Sequence, residues 1–461
     1  MLRGLRSLTF GALALFVLAC CVGCPESTKP AAKPQGNGSS SAETVKTPQE
    51  APAPPDDPDL VKSLQDAGHK LKLDDAGHVV EATLVPLGDV EKTTALLAEI
   101  AKLLSLVRLK AGGPDVTNAG LEKIAGLKNL KVLDLDQAKV DDDGMKHLVA
   151  LPLVDINLKL TDVRDDGVGH LAKIQTLKQL KLVKTKVTNA GIAHVKNMPN
   201  LEGLDLQDVN TVDNACLSDI KGLKKLKFLR IYGPTFDGDG IAPIGEMTTL
   251  RTLSMHQTGL NDENVKYLKG LVDLEKLLLY GTRVSDNGMA ELAGLTRLKE
   301  LDLRATPCGT AAMEVYLSHM PELRLLDLSE SNSPNVDEAM PAIAKLSHLE
   351  NLNLWHTQVT DPAVALLASL PNLKSLNLDD NKKVTDASMD TVGKLVNLEY
   401  LHIGSTSVTD VGLAKLHNLK KLKKTKDDPA LVITFLDVSD EAVESLMEAI
   451  PALKEEGALK R

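Results

Sequence analysis

One pattern of about 24 residues returns along the chain from about residue 80 onward, and it constrains the fold more than any other feature. Each copy reads L-x-x-L-x-L, a polar turn, V-[T/S/D]-[D/N]-x-G, and then G-L-x-x-L-x-x-L. The middle leucine of the first segment recurs at positions 133, 156 (isoleucine), 180, 204, 229, 253, 277, 301, 326, 352, 376 and 401. A short unit that returns this regularly indicates stacked structural repeats rather than several independent domains.

Each repeat predicts one short strand followed by one short helix. Leu133 and Leu135 alternate with polar residues, which is typical of a strand with one buried face. Met289, Leu292 and Leu295 share one face of the predicted helix, and the Thr, Ser or Asp after the valine is placed to cap it. Such units bury their leucines only against neighbouring units.

A threonine stands three residues after the last strand leucine in seven repeats. A hydroxyl at that register can bond to the backbone of the turn. These threonines are Thr161, Thr185, Thr258, Thr282, Thr306, Thr357 and Thr406.

The repeat resembles the bacterial leucine-rich-repeat family, specifically GALA-like and planctomycete-style proteins with a V-T-D-x-G-L signature. The resemblance covers about residues 78–425 and implies an α/β horseshoe solenoid, with short parallel strands on its concave face and short helices on its convex face. It also implies an N-terminal cap at residues 59–84, repeats at 85–425 and a C-terminal cap at 426–461.

Residues 1–19 predict a lipoprotein signal peptide, because a basic start is followed by an apolar run from Leu8 to Ala19. The segment ending at Cys20 resembles a bacterial lipobox, so Cys20 is the expected lipidation site, with Cys24 as an alternative. An ordinary secretory leader and an uncleaved signal anchor remain open. Residues 20–58 are rich in proline and serine, and we expect a disordered tether there.

No catalytic, cofactor or metal motif stands out in the repeats, so we expect no enzyme activity, cofactor or metal. Asp141-Asp-Asp-Gly144 could suggest calcium, but helix capping is favoured because the same turn recurs elsewhere. The net charge of −10 argues against a nucleic-acid partner. Cys216 and Cys308 lie about four repeats apart, which predicts two single buried thiols.

Aromatic residues make up only 2 % of the chain, yet five of the nine outside the leader fall on expected concave positions. Tyr, Trp and Arg are the residues that most often anchor interfaces. We therefore expect a partner-binding surface for a protein or peptide, with a glycan less favoured. Its residues are Phe228, Arg230, Tyr232, His256, Tyr280, Arg304, Trp355, Tyr400 and His402. The alternative is that aromatic side chains merely suit sheet surfaces.

The leading functional hypothesis is a non-enzymatic binding module, held in the bacterial cell envelope through an N-terminal lipid. One alternative is an F-box-like ubiquitin-ligase adaptor of the GALA type, which would need a helical bundle where the tether stands. A purely structural envelope protein is the other alternative, and it would be indicated by a concave face without aromatic residues.

Overall fold

The computed structural model describes residues 55–461, apart from Asn332 and Pro334. The expected signal peptide, the lipidation site Cys20 and its alternative Cys24, and nearly all of the tether lie outside these residues. In the described part, each repeat contributes one short strand and one short helix or 3₁₀ turn.

Seventeen strands of the described region pair in chain order into one open sheet. The first pair is antiparallel, and every later pair is parallel. This confirms the predicted α/β solenoid. The strands are β1 (Lys70–Leu73), β2 (Val79–Thr83), β3 (Arg108–Lys110), β4 (Val132–Asp134), β5 (Asp155–Asn157), β6 (Gln179–Lys181), β7 (Gly203–Asp205), β8 (Phe228–Tyr232), β9 (Thr252–His256), β10 (Lys276–Leu278), β11 (Glu300–Asp302), β12 (Leu325–Asp327), β13 (Asn351–Asn353), β14 (Ser375–Asn377), β15 (Tyr400–His402), β16 (Leu431–Val432) and β17 (Leu459–Lys460).

The middle leucines set the register of the sheet. Leu133 pairs with Ile156, Ile156 with Leu180, and the same partnership continues through Leu401. These side chains are buried, while their strand neighbours are mostly half-buried. One leucine from each repeat therefore stacks into a continuous core between the sheet and the helices.

The helices are short and lie on the other side of this core. The α-helices are α1 (Pro58–Asp66), α2 (Val90–Ile100), α3 (Asn118–Ile124), α4 (Asp142–Lys146), α5 (Asp165–Leu171), α6 (Asn189–Ile192), α7 (Ala215–Ile220), α8 (Asp286–Ala290), α9 (Glu314–Leu317), α10 (Met340–Ile343), α11 (Asp361–Ala365), α12 (Asp386–Val392), α13 (Asp410–Ala414) and α14 (Asp440–Ala449). The 3₁₀ segments are Ala193–Asn197, Gly238–Glu246, Val265–Gly270, Ala311–Met313, Val336–Glu338, Leu366–Ser369 and Pro451–Lys454.

The residue after the valine caps the next helix in several repeats, as predicted. The side chains of Asp141, Thr188, Ser285, Thr385 and Thr409 each accept a hydrogen bond from a backbone N–H two residues later. In the Asp141–Gly144 turn that could suggest calcium, Asp141 caps α4, and Asp142 accepts a bond from the backbone N–H of Arg164.

The aspartate of the T-D pair links neighbouring repeats, which the sequence pattern did not indicate. Asp361 accepts bonds from the backbone N–H and the hydroxyl of Thr385 in the next repeat, at 2.8 and 2.7 Å. Asp165 with Thr188, Asp262 with Ser285, and Asp386 with Thr409 repeat this arrangement. The motif therefore stabilises stacking as well as helix starts.

The threonine three residues after the last strand leucine bonds to the turn backbone in six of the seven predicted cases. The hydroxyls of Thr161, Thr185, Thr258, Thr306, Thr357 and Thr406 donate to the carbonyl of that leucine or its replacement. Thr282 is the exception, because its buried hydroxyl has no partner among the described residues.

Every repeat from β4 to β16 turns through a left-handed residue two positions after the last strand leucine. Two of these residues are glycines, and the others include Gln257 (φ 53°), Ala305 (φ 52°) and Glu330 (φ 53°). A left-handed conformation is unfavourable for residues with a Cβ. The N–H of each of these three donates to a carbonyl of the next repeat at 2.7–2.9 Å, which offsets the cost and extends the ladder past the strands.

Different elements cover the two ends of the described solenoid. At the N-terminal end, α1 packs beside the antiparallel β1–β2 pair. At the C-terminal end, α14 buries Val443 and Leu446 against the last leucine layer. Cys216 and Cys308 are buried free thiols, as predicted. No helix within the described range has the length and apolar character that a membrane crossing requires.

Candidate functional site

The residues predicted for partner binding all lie on the sheet face away from the helices, which we call the open face. Phe228, Arg230 and Tyr232 belong to β8, and His256 ends β9. Tyr280, Arg304 and Trp355 each follow the last leucine of a strand segment, so they continue the same row across β10, β11 and β13. The strands are held in register by their middle leucines, so residues of this row on adjacent strands are about 4.8 Å apart.

Arg304 lies between two aromatic rings. Its guanidinium carbon is 4.9 Å from the centre of the Tyr280 ring and 5.2 Å from that of Trp355. Its Nε donates to Glu330 at 2.8 Å, and 37 % of the side chain is exposed. We call Tyr280, Arg304 and Trp355 the aromatic–arginine cluster. Stacking and the ion pair hold the guanidinium in place while leaving part of it accessible.

A glutamine connects the two tyrosines of the row. The hydroxyl of Tyr232 donates to Oε1 of Gln257 at 2.5 Å, and the amide of Gln257 donates to the hydroxyl of Tyr280 at 3.3 Å. His256 meets Tyr280 edge-on, with ring centres 5.7 Å apart. These contacts fix the orientation of both phenol rings on the open face.

Phe228 and Arg230 form a separate contact on β8. Arg230 donates from one Nη to Asp205 at 3.0 Å and to Gln207 at 3.2 Å, and its guanidinium lies 5.4 Å from the Phe228 ring. Only 14 % of the Arg230 side chain is exposed. This arginine therefore mainly contacts residues of its own chain and offers little surface to a partner.

Two largely buried carboxylates lie beside the cluster, on the adjacent strands β11 and β12. Asp302 and Asp327 are paired in register, and burial together with the neighbouring Asp327 raises the pKa of Asp302 to about 7. Burial also raises the pKa of Asp327, although Ser329 and Asn353 donate hydrogen bonds to it. Burial lowers the pKa of the nearby His256 to about 4, and Arg230 and Arg304 contribute.

Tyr400 and His402 do not join this cluster. They lie on β15, two strands beyond the strand that precedes Trp355. Nε2 of His402 is 3.7 Å from Oδ2 of Asp379, and burial lowers the pKa of His402 to about 4. Burial also raises the pKa of Tyr400 to about 12. These residues form a second polar spot on the open face.

Four further residues complete the site and were not predicted from the sequence: Gln257, Glu330, Asp302 and Asp327. Gln257 and Glu330 occupy the left-handed position one residue after the predicted row. Asp302 and Asp327 occupy the position between the two strand leucines. The sequence shows that an aspartate occupies this position in both strands. It does not show that the two carboxylates are buried side by side.

A groove of about 400 Å³ lies on the helix side, lined by charged residues of three successive repeats. Its lining includes Asp142, Asp143 and Lys146 of α4 and His170 of α5. Asp143 already pairs with Lys146, and Asp142 with the backbone of Arg164. In the described part of the chain, His, Cys, Asp and Glu side chains form no group of three suited to a metal ion.

The comparisons with known proteins point to one repeat family. A profile described as a leucine-rich repeat region matches residues 153–391, more than half of the chain. No curated protein matches the sequence.

Among solved structures, an internalin from Listeria monocytogenes is similar at 22 % identity and a TM-score of 0.53, covering 72 % of this chain and 93 % of the internalin. A leucine-rich-repeat protein of Leptospira interrogans is similar at 17 % identity and a TM-score of 0.47, covering 80 % of this chain and 98 % of the other. A TDR receptor is similar at 15 % identity and a TM-score of 0.48, covering 78 % and 61 %.

Proposed function

Because the chain belongs to the leucine-rich-repeat family, we propose that it is a non-enzymatic binding protein whose open face holds a protein or peptide partner. The observation that carries this proposal is the aromatic–arginine cluster with its supporting contacts. Scarce aromatic residues are gathered there around a stacked, half-accessible arginine. This composition is typical of the residues that dominate binding energy at protein interfaces.

The cluster is ordered before any partner arrives. Gln257 orients Tyr232 and Tyr280, while Glu330 orients Arg304. Side chains that are already fixed lose less conformational entropy on binding. A sheet whose register is set by buried leucines adds a rigid base under these side chains. A partner can therefore use the aromatic surfaces with little rearrangement.

The two buried thiols are unsuited to nucleophilic catalysis. Burial raises the pKa of Cys216 to about 12, and burial also raises the pKa of Cys308 strongly. A cysteine nucleophile must be a thiolate, which an electropositive and accessible setting favours. Neither cysteine has such a setting, and Cys308 donates to the carbonyl of Val284.

Photo-crosslinking on the native chain tests the binding proposal. A photoreactive amino acid replaces Tyr232, Tyr280 or Trp355 on the open face, and Glu291 on the helix side as the matched control. We expect covalent adducts of the same mass from the three open-face positions after irradiation in cells. An Arg304→Ala change should remove the adduct formed at position 280. Adducts from position 291 alone, or none from the open face, would contradict the proposal.

We also propose that a lipid on Cys20 anchors the protein in the bacterial cell envelope, with the proline-rich segment as its tether. The support is the lipobox-like sequence Phe16–Cys20 and the tether composition. Two or three acyl chains hold a protein firmly at a bilayer. Labelling with a palmitate analogue should mark the full-length chain and not Cys20→Ser. Label that survives in Cys20→Ser but disappears in Cys24→Ser moves the site, and label in no version refutes the anchor.

A further inference from the structure

Positive charge is concentrated along one edge of the solenoid, where the strands begin. We define this basic edge as the residues eight to two positions before the middle leucine of each repeat, from Leu109, which pairs with Leu133, to Leu401. These thirteen segments contain eighteen lysine and arginine residues and seven acidic residues, although the whole chain carries a net charge of −10. At the opposite edge, the position nine residues after the middle leucine is acidic in seven of the twelve repeats from Leu133 onward and basic in none. The solenoid is therefore polarised across its width.

Three of the seven acidic residues of the basic edge each bridge two cations. Glu202 lies 2.9 Å from Lys178 and 2.8 Å from Lys227, and its side chain is 21 % exposed against 51 and 58 % for the two lysines. Glu350 is held between two basic side chains at 3.0 and 2.7 Å, and Asp273 between two arginines at 3.0 and 2.5 Å. Each carboxylate neutralises one cation and leaves the other, so the surface of the edge remains basic.

The loops of the basic edge are joined to one another by asparagine side chains. Asn129 donates to the carbonyl of Leu104 in the preceding repeat at 3.0 Å. Asn200, Asn372 and Asn397 make the equivalent bond at 2.7–2.9 Å. Since the same register position of every repeat lies on the same edge, the cations form a row that follows the thirteen strands for about 60 Å. The row is therefore a fixed feature of the described fold.

The basic edge also exposes apolar side chains. Leu104, Val272 and Val396 are 66, 53 and 50 % exposed, and each lies five residues before a middle leucine. They are three of the six large apolar side chains that are at least half exposed in the described region, of which the edge holds less than a quarter. Cations together with exposed aliphatic side chains are typical of protein surfaces that rest in the headgroup region of a bilayer.

The N-terminal end of the described region meets the solenoid at this same edge. Val79 begins β2, and its backbone N–H donates to Oδ2 of Asp56 at 2.6 Å. Asp56 is the second described residue, so the chain that follows the proposed lipid site Cys20 joins the fold on the side where the strands begin. The proposed anchor and the basic edge are therefore compatible with contact to one bilayer.

We propose that the basic edge lies against a bilayer that contains anionic phospholipids. Fifteen of its eighteen cations are lysines, whose compact charge suits headgroups without a fixed geometry. Each lysine close to an anionic bilayer strengthens binding several-fold. A single-stranded nucleic acid would instead need aromatic side chains for base stacking, and the thirteen segments contain none. The edge adds a second membrane contact to the proposed lipid anchor, and it is testable on chains that carry no lipid.

Vesicle binding by a chain without the lipid tests this inference. The full-length Cys20→Ser, Cys24→Ser chain is sedimented with vesicles of phosphatidylcholine alone, or of phosphatidylcholine mixed with an equal part of phosphatidylglycerol. We expect binding to the mixed vesicles well above binding to the neutral ones, and a decrease of this excess with added salt. The leader is present in every variant, so the comparison between variants uses the phosphatidylglycerol-dependent excess alone.

Two triple variants of equal net charge separate the edge from the charge of the whole chain. The edge variant is Lys128→Gln, Lys224→Gln and Lys394→Gln. The control variant is Lys139→Gln, Lys382→Gln and Lys383→Gln, at the turns of the opposite edge. All six side chains are exposed and make no ion pair with the described residues, so both variants should fold. We expect the excess binding to fall roughly tenfold or more in the edge variant and to persist in the control.

Equal loss in both variants would assign the binding to net charge and overturn the inference. Equal sedimentation with neutral and mixed vesicles would overturn it as well. Binding of a labelled DNA duplex that the edge variant alone loses, without an excess on the mixed vesicles, would make the edge a nucleic-acid site instead. Palmitate labelling of the wild-type chain tests the anchor separately, so the anchor can fail while the edge binds, and the edge can fail while the anchor holds.

Discussion

The glycine of the V-T-D-x-G segment is required by a carboxylate of the preceding repeat. A Cβ on Gly288 would stand 2.3 Å from Oδ1 of Asp262 and 3.0 Å from its Cα. That carboxylate is held by the backbone N–H and the hydroxyl of Ser285. It therefore cannot move away without losing both bonds. Similar close approaches occur at Gly167, Gly191 and Gly412.

We expect Gly288→Ala to destabilise the protein by about 1–3 kcal/mol, as overpacking does in other tight sites. The matched control is Gly294→Ala in the same repeat, where a Cβ meets nothing within 4 Å. That change should be neutral or should stabilise by up to about 1 kcal/mol. Urea unfolding of the two variants measures the difference. Equal stability of both variants would show that the Asp262 carboxylate moves freely.

Asp302 makes the stability of the native state depend on pH. Its pKa is raised to about 7 in the folded chain, against an ordinary value of 3.8, so folding favours the protonated form. Its contribution is complete below pH 4 and is lost as pH rises through 7. We expect Asp302→Asn to be more stable than the wild type at pH 8, by on the order of 1–3 kcal/mol.

The gain from Asp302→Asn should shrink as pH falls and disappear below pH 4, where the wild-type carboxyl is protonated in both states. Chemical denaturation at several pH values between 4 and 8 measures it. A gain that is the same at every pH would come from something other than the raised pKa of Asp302, and a loss of stability at pH 8 would contradict the expectation.

At the scale of the repeat elements, the T-D pair joins each helix start to the one before it. The hydroxyl of Thr385 donates to Asp361 and also accepts from the N–H of Ala387, so it serves two repeats. We expect Thr385→Val to cost about 1–2 kcal/mol, because it leaves the carboxylate and the helix N–H without that hydroxyl. Thr385→Ser keeps the hydroxyl and should cost clearly less.

A double-mutant cycle with Asp361→Ala isolates this contact. Thermal or urea unfolding of Thr385→Val, Asp361→Ala and the double variant should give a coupling of at least about 0.5 kcal/mol. Additive losses would mean that the threonine acts through its own helix alone. Asp361 also accepts from Ser388, so the aspartate variant by itself should cost more than the threonine variant.

The sequence indicated the strands more accurately than the helices. Alternation around the middle leucines predicted the position of every strand from β4 to β15, because the middle residue of each strand is buried. The helices are shorter than the pattern suggested: α8 ends at Ala290, although the periodic residues continue to Leu295. The spacing Met289, Leu292, Leu295 is three residues, and the backbone follows it with i→i+3 bonds. A period of three favours 3₁₀ turns over an α-helix.

At the scale of the whole molecule, repetition explains which parts of the site were predictable. The row Tyr232, His256, Tyr280, Arg304 follows from register alone, because parallel in-register strands bring equivalent positions side by side. The lateral contacts do not follow from register. Arg304 leans between Tyr280 and Trp355, and His256 reaches across β10 to Asp302, because each side chain selects a rotamer that its neighbours allow.

The same repetition predicts that one whole repeat can be removed. Deleting residues 157–180 joins Ile156 to Lys181, so the strand register continues and Asp142 comes to face Thr188 in place of Arg164. In a solenoid each repeat contacts only its neighbours. We expect this variant to fold with one cooperative unfolding transition, a lower free energy of unfolding and unchanged Trp355 fluorescence.

Deleting only residues 169–180 is the control, since it removes half a repeat and places helix residues where the next strand should begin. That variant should aggregate or lose its cooperative transition, as followed by circular dichroism and size-exclusion chromatography. If the two deletions behaved alike and both folded, the leucine register would not determine the stacking. If both failed, the repeats from β4 to β7 would form a unit larger than one repeat. The expected contrast between a full and a half period therefore tests whether the 24-residue unit is also the unit of stability.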